Sequence, residues 1–227
     1  MVTLMTKHQF KTILRKILSP AVSTLSAWGV PPMLVTLFGL VLALYGAMVV
    51  AEGKLALGAV FLLLSGFCDV LDGDIARRRG MASRFGGFLD STLDRVGEFA
   101  YFGGILYYAV NRPGGASTYV FCVVMVALAA SILTSYARAR AEGLGYACTV
   151  GIMERSERLG LLVLGLLLGY TALVVILTIL AITSVYTVIQ RIIHVYRVSR
   201  ADDRVAETVG GAEGLGGADA DGRTSKP

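Results

Sequence analysis

The chain has 227 residues, of which 55% are hydrophobic and 16% charged, and its mean hydropathy is +0.68. This is too apolar for an ordinary soluble domain, and the formal net charge of +5 forms no aromatic-interleaved basic surface of the kind that binds nucleic acid. The composition therefore excludes a soluble nucleic-acid-binding protein and indicates an integral membrane protein.

The chain begins with a basic amphipathic segment, residues 1–30. A segment of this type is predicted to lie in the membrane interface, where its basic residues contact anionic headgroups. It lacks the apolar stretch of a secretory signal peptide. The sequence Gly29-Val-Pro-Pro32 ends the segment, and a proline is well placed at the start of the next helix.

Long apolar runs fill residues 31–197 and predict an all-α integral membrane domain. A helix needs about 20 mainly apolar residues to cross a bilayer. Six transmembrane helices are predicted, at roughly 32–52, 54–78, 86–110, 116–141, 154–170 and 172–197. Residues 198–227 are polar and rich in Gly, Ala and Asp, which predicts a disordered tail.

Lysine and arginine are distributed unequally between the two ends of the predicted helices. Of the 21 basic residues, only Lys54 and Arg112 fall where the first helix joins the second and the third joins the fourth. Cytoplasmic loops carry an excess of basic residues. The chain is therefore predicted to be a multi-pass protein of the cell membrane, with both termini and the site described next on the cytoplasmic side.

Four carboxylates, Asp69, Asp72, Asp90 and Asp94, flank the junction of the second and third predicted helices. The first two are spaced i, i+3 and the last two i, i+4, so each pair shares one face of its helix. The short connection at residues 80–84 makes the helices antiparallel neighbours, and all four side chains are predicted to meet about two turns inside the cytoplasmic boundary. Four such groups cannot all stay ionised without cations. Oxygen-rich sites suit Mg²⁺, Mn²⁺ or Ca²⁺ rather than zinc.

The residues between these carboxylates fit a phosphate ligand. Gly73, Ala76 and Gly86 lack bulk, so a ligand could lie against the backbone there. Arg77 supplies a fixed cation for a phosphate oxygen. Two divalent cations bridging a pyrophosphate would stabilise a leaving phosphate. Asp94, the deepest carboxylate on its helix, is the predicted general base for an attacking hydroxyl.

This segment resembles the signature of the CDP-alcohol phosphotransferase family, D-x2-D-G-x2-A-R-x8-G-x3-D-x3-D, and fills every position of it. The resemblance implies six helices, a homodimer and two metal ions, usually Mg²⁺ or Mn²⁺. It implies that Asp69, Asp72 and Asp90 hold metal, and that Asp94 completes the site and acts as the base. The residues that it places around the CDP moiety are Thr36, Asp72, Gly73, Ala76, Arg77 and Gly86.

A second group of polar residues lies at the cytoplasmic ends of the last three predicted helices. Buried cations need anionic partners, so arginines near the carboxylate depth favour a second anion, which a phosphorylated acceptor would supply. The pattern is similar to that of phosphatidylinositol-phosphate and archaetidylinositol-phosphate synthases within the family. This resemblance assigns binding of the acceptor phosphate to Ser135, Arg138, Arg158 and Arg191.

The resulting hypothesis is an enzyme of phospholipid biosynthesis. It would transfer the phosphatidyl or archaetidyl group of CDP-diacylglycerol or CDP-archaeol to inositol 1-phosphate and release CMP. Phosphatidylglycerophosphate synthases, which accept glycerol 3-phosphate, are the alternative within the family. A divalent-cation transporter would explain the carboxylates but not the small residues and the arginine between them. A non-catalytic lipid-binding scaffold would not require a complete metal set with a base.

Overall fold

The computed structural model describes the backbone of residues 7–216 and the side chains of residues 16–202. Within these limits the chain is helical and contains no strand, which confirms the predicted all-α class. The helices are α1 (Lys7–Ala27), α2 (Pro32–Ala51), α3 (Leu55–Arg78), α4 (Arg84–Asn111), α5 (Thr118–Gly143), α6 (Arg155–Leu168) and α7 (Tyr170–Gly216).

The chain divides into two compact units, and the boundaries between them fall inside α5 and α7. The first unit contains α1 to α4, α6 and the beginnings of α5 and α7. The second unit contains the remainder of α5, the loop at residues 144–153 and the continuation of α7. The carboxylates predicted to bind metal all belong to the first unit.

Four helices in the described part of the chain are long and apolar enough to cross a membrane. They are α2, α3, α5 and the Tyr170–Asp202 part of α7. The charges of α4 and the short length of α6, which has 14 residues, keep these two helices outside that group. Both nevertheless overlap in sequence with predicted spans, α4 with 86–110 and α6 with 154–170. The count of six spans stays a prediction.

The helix ends follow from local chemistry. Ser83 caps α4 by accepting a hydrogen bond from the backbone N–H of Gly86 at 3.0 Å, as short polar residues commonly do at this position. At the start of α6, Glu154 and Glu157 form a reciprocal capping box, which satisfies backbone donors of the first turn. Gly169, with a φ of 91°, then separates α6 from α7 in a conformation that favours glycine.

The last helix differs from its predicted end at residue 197. The backbone is helical through Gly216. Residues 217–227 lie outside the described residues. The division into an interfacial segment, a membrane domain and a tail stays a prediction.

The N-terminal helix α1 packs against other helices within the first unit. Val22 of α1 is 1% exposed and belongs to a core cluster with Val35, Cys68 and Ile75. Apolar burial of this kind is the main favourable contribution to helix docking. The interfacial location of the segment stays a prediction, whereas the helix within it is confirmed.

Small residues allow α4 to approach α2 closely. A Cβ atom at Gly104 would lie 2.4 Å from the carbonyl oxygen of Ala47, and one at Gly46 would lie 1.9 Å from the hydroxyl of Tyr101. That hydroxyl donates to the carbonyl of Gly58 at 2.9 Å. Glycine therefore permits a close backbone approach of the type that stabilises helix pairs in membranes.

We expect Gly104→Ala to destabilise the protein by about 1–3 kcal/mol, because the added methyl group meets backbone that cannot move away cheaply. Thermal unfolding in detergent measures the effect. The matched control is Gly103→Ala on the same helix, since a Cβ there meets nothing within 4 Å. Equal melting temperatures for the two variants would show that this close approach does not stabilise the fold.

Candidate active site

Three of the four predicted metal ligands converge in the first unit. Asp69 and Asp72 extend from α3 and Asp90 from α4, and one oxygen of each lies within 4.8 Å of the others. Thr36 of α2 donates its hydroxyl hydrogen to Oδ2 of Asp72 at 2.5 Å. Asp72 is 6% exposed, so this hydrogen bond holds the orientation of a buried carboxylate.

The donor atoms of this cluster fit a divalent cation. Oδ1 of Asp90 is buried and has no hydrogen-bond partner among the residues that the structure describes. A buried oxygen without a donor is costly, and a bound cation would remove that cost. The converging donors are all carboxylate oxygens, the ligand type that Mg²⁺ and Mn²⁺ prefer. The geometry thus agrees with the predicted metal site.

Asp94 lies beside this cluster and is held by arginine. Its Oδ1 accepts a hydrogen bond from Nη2 of Arg155, whose Nη1 donates to Oδ2 of Asp69 at 3.0 Å. Nη2 of Arg95 lies 3.8 Å from Oδ2 of Asp94. One guanidinium therefore joins the predicted base to a predicted metal ligand.

The sequence pattern alone assigns no role to Arg155. The feature that could indicate one is the Glu154-Arg155 pair at the start of a predicted helix, together with four carboxylates that need nearby positive charge. The capping box fixes that helix start, with the N–H of Glu154 donating to Oε2 of Glu157 at 2.7 Å.

The residues predicted to surround CDP lie on three helices: Thr36 on α2 beside Asp72, and the others on α3 and at the start of α4. On α3, Nη2 of Arg77 pairs with Oδ1 of Asp74 at 2.5 Å, and a Cβ at Gly73 would lie 3.3 Å from that same nitrogen. Ala76 is half-buried on the same helix. At the start of α4, a Cβ at Gly86 would lie 3.1 Å from the Ser83 hydroxyl oxygen.

Arg77 of α3 is therefore an exposed rather than a buried cation. The Arg77 side chain is 57% exposed and lies over the backbone at Gly73, where a larger residue would crowd the guanidinium. Its pairing with Asp74 spans i, i+3, and the Asp74 side chain is 16% exposed. The Arg77 guanidinium is therefore accessible from solvent, although its partner is largely buried.

Arg158 lies one turn after Arg155 and is, in the first unit, the residue predicted to bind the acceptor phosphate. It is 5% exposed, and its Nε lies 3.7 Å from Oε1 of Glu98. The other oxygen of Glu98 lies 3.4 Å from Nε of Arg95. Glu98 therefore lies between two arginines, which neutralise its charge in a half-buried position.

Three residues of the second unit are predicted to bind the acceptor phosphate. Arg191 of α7 is the most buried of them, with 4% exposure. Its Nε donates to the carbonyl oxygen of Val150 at 3.0 Å, and its Nη1 donates to the carbonyl oxygen of Thr134. The sequence predicts only a phosphate ligand at Arg191, whereas the structure also uses it to join α7, α5 and the loop at residues 144–153.

The other two predicted acceptor residues lie on α5 of the same unit. Ser135 follows Thr134, and its hydroxyl donates to the carbonyl oxygen of Ser131 at 3.4 Å. Arg138 pairs with Oε1 of Glu142 at 2.8 Å in an exposed i, i+4 contact. Arg158 belongs to the first unit and these residues to the second, so their convergence on one acceptor stays a prediction.

Helices long and apolar enough to cross a membrane, with carboxylates from two neighbouring helices meeting at one point, indicate a metal site in a membrane protein. The sequence profile of the CDP-alcohol phosphatidyltransferase family matches residues 29–199. The chain belongs to this family and is a multi-pass membrane phosphotransferase. The predicted family and enzyme class are confirmed.

Within this family, the chain is similar to synthases of two inositol-containing lipids. The archaetidylinositol phosphate synthase of Methanothermobacter thermautotrophicus is 37% identical over 194 residues, covering 84% of this chain and 94% of the relative. The phosphatidylinositol phosphate synthase of Streptomyces avermitilis is 37% identical over 217 residues, covering 89% and 87%.

Solved structures agree with the sequence relatives. The phosphatidylinositol phosphate synthase of Mycobacterium tuberculosis with CDP-DAG bound has a TM-score of 0.73 at 33% identity, covering 80% of this chain and 94% of that chain. The same enzyme in complex with manganese and citrate has a TM-score of 0.72 at 33% identity, covering 78% and 88%.

Proposed function

We propose that this protein transfers the phosphatidyl or archaetidyl group of a CDP-linked lipid to inositol 1-phosphate and releases CMP. The observation that carries the proposal is the convergence of Asp69, Asp72 and Asp90 within 4.8 Å, with Asp94 beside them. Relatives named as archaetidylinositol phosphate and phosphatidylinositol phosphate synthases match most of the chain, which supports the choice of acceptor.

The donor would be held by residues of the first unit. Asp69, Asp72 and Asp90 would bind two divalent cations, Mg²⁺ or Mn²⁺, with Asp94 completing the set. Bound there, the cations would neutralise the donor pyrophosphate and stabilise the departing nucleotide phosphate. Thr36 keeps Asp72 in place through its hydrogen bond.

Arg77 and the small residues around it would complete the donor site. The exposed guanidinium lies over Gly73 and would move from Asp74 to a pyrophosphate oxygen, where a charge-assisted hydrogen bond is stronger. Gly73, Ala76 and Gly86 leave the backbone accessible to the nucleotide.

The transfer itself requires a base near the attacking hydroxyl. Asp94 would take the hydroxyl proton while the hydroxyl oxygen bonds to the β-phosphorus of the donor. The bond between that phosphorus and the bridging oxygen of the pyrophosphate then breaks, and CMP leaves. Asp94 is held by Arg155, so its second oxygen, Oδ2, has a defined position.

The acceptor phosphate would be bound by Arg138, Arg158 and Arg191, with Ser135 beside them. The burial of Arg158 and Arg191 at 5% and 4% exposure supports this role, since a desolvated guanidinium favours an anionic ligand. Glycerol 3-phosphate also carries a phosphate, so the phosphatidylglycerophosphate synthase activity is the second candidate.

Release of CMP by the purified protein tests the proposal. CDP-diacylglycerol and Mg²⁺ are supplied in detergent, and inositol 1-phosphate, glycerol 3-phosphate, serine and free inositol are offered separately. We expect turnover with inositol 1-phosphate alone. Turnover with glycerol 3-phosphate alone would retain the transferase and overturn the acceptor assignment.

We also propose that the active site and both termini face the cytoplasm, because the basic residues concentrate at that end. In a cysteine-free background, Lys54→Cys is expected to react with an impermeant maleimide added outside intact cells. Arg200→Cys is expected to react only after lysis. The reverse labelling pattern would invert the topology. The homodimer that the family resemblance implies stays a prediction, and mass measurement in detergent would test it.

A further inference from the structure

Arg155 occupies a position that no other described cation shares. Its two terminal nitrogens donate to Asp69 and Asp94, which lie on different helices. The Arg155 side chain is 32% exposed, against 33% for Asp69 and 15% for Asp94. The guanidinium therefore bridges Asp94 and the Asp69 member of the carboxylate cluster.

This bridge needs arginine chemistry. A guanidinium is planar and presents several N–H donors in a fixed fork, so it can bond two carboxylates at once, whereas an ammonium group is a single point charge. The base of the Arg155 side chain is anchored, because the capping box of Glu154 and Glu157 fixes the start of α6. Contacts between α6 and α3 hold that helix beside Asp69.

The same carboxylates are the proposed ligands of the divalent cations. Asp69 supplies an oxygen to the cluster with Asp72 and Asp90, and its Oδ2 accepts from Arg155. A cation brought to Asp69 and Asp94 meets a positive charge already bonded to them, and like charges a few ångströms apart repel. If the Arg155 guanidinium is removed and no divalent cation replaces it, the carboxylates repel one another.

We propose that Arg155 is an internal counter-ion that competes with the divalent cation for Asp69 and Asp94. It holds the carboxylates together when no cation is bound, and it weakens the affinity for the cation when one binds. Arg155 is thus a positioning residue rather than a catalytic one. The inference rests on the proposed function, since it takes the carboxylates as metal ligands.

The experiment measures Mn²⁺ binding and stability without any substrate. The free Mn²⁺ signal in electron paramagnetic resonance is titrated against metal-stripped wild type, Arg155→Gln and Arg155→Lys, and each protein is melted with and without Mn²⁺. The matched control is Arg78→Gln, which removes the same charge from an arginine that donates to the hydroxyl of Ser19 at 2.9 Å.

We expect Arg155→Gln to bind Mn²⁺ on the order of tenfold more tightly than wild type. Without metal it should melt at a lower temperature than wild type, and Mn²⁺ should raise its melting temperature by more. Arg155→Lys keeps the charge but cannot hold both carboxylates, so we expect tightening of a few-fold. Arg78→Gln should match wild type in both measurements.

Unchanged or weaker Mn²⁺ binding by Arg155→Gln, with wild type binding normally, would overturn the inference and leave the proposed function intact. If that variant does not fold, Arg155→Lys decides in the same way. Absence of Mn²⁺ binding by the wild-type protein would contradict the metal site of the proposed function itself, and the inference would fail with it.

Discussion

Replacing Asp94 with asparagine is expected to lower the rate of CMP release by about 10²–10⁴-fold, the usual contribution of a positioned general base. Asparagine has the same shape as aspartate but cannot take a proton from the attacking hydroxyl. Because Asp94 lies within hydrogen-bond reach of Arg155, the amide oxygen can still accept that bond. The loss should therefore appear in kcat with the fold preserved.

The measurement is initial-rate CMP release at saturating donor and acceptor, with thermal unfolding to verify the fold. Glu52→Gln is the matched control, because Glu52 pairs with Lys54 at 2.8 Å at the helix ends opposite the carboxylates. It should keep wild-type turnover. Turnover of Asp94→Asn within a few-fold of wild type would remove Asp94 from the proposed base role.

Asp90→Asn is expected to separate activity from stability. Loss of one carboxylate ligand should raise the Mg²⁺ concentration that the reaction requires by at least about a hundredfold. This is more than the loss of a residue that only hydrogen-bonds to a metal ligand. The metal-free protein should be at least as stable as wild type, because one of several repelling carboxylates has been removed and Oδ1 of Asp90 has no donor to lose.

Titration of the rate with Mg²⁺ and melting in EDTA measure the two effects of Asp90→Asn. Thr36→Val provides a graded comparison, since it keeps all the carboxylates and removes the hydroxyl that donates to Asp72 and to the carbonyl oxygen of Pro32. A loss of about 10–100-fold in metal affinity is expected there. If Asp90→Asn kept a normal Mg²⁺ requirement, Asp90 would not be a metal ligand.

The sequence predicts the carboxylate cluster well because local rules determine it. Spacings of i, i+3 and i, i+4 place each pair on one helix face, and the short turn before α4 brings the pairs together. The pairing of Arg77 with Asp74 follows the same i, i+3 rule. Helix ends are likewise predictable from Ser83 and the glutamates of α6.

Contacts between distant parts of the chain could not be predicted in this way. Arg155 bonds to Asp94 and Asp69, which precede it by 61 and 86 positions in the sequence. The residues next to Arg155 do not specify these partners. Arg191 is a comparable case, because its bonds to backbone carbonyls depend on how the loop at residues 144–153 folds. Hydropathy also places the end of the last helix at residue 197, whereas the backbone continues as a helix through Gly216.

A competition experiment tests the central claim most directly. Purified protein is given CDP-diacylglycerol and Mg²⁺ with equal amounts of inositol 1-phosphate and glycerol 3-phosphate, and the lipid products are identified by mass spectrometry. The account predicts phosphatidylinositol phosphate as the main product, lost when Mg²⁺ is chelated. Phosphatidylglycerophosphate as the main product, or undiminished product formation in EDTA, would contradict it.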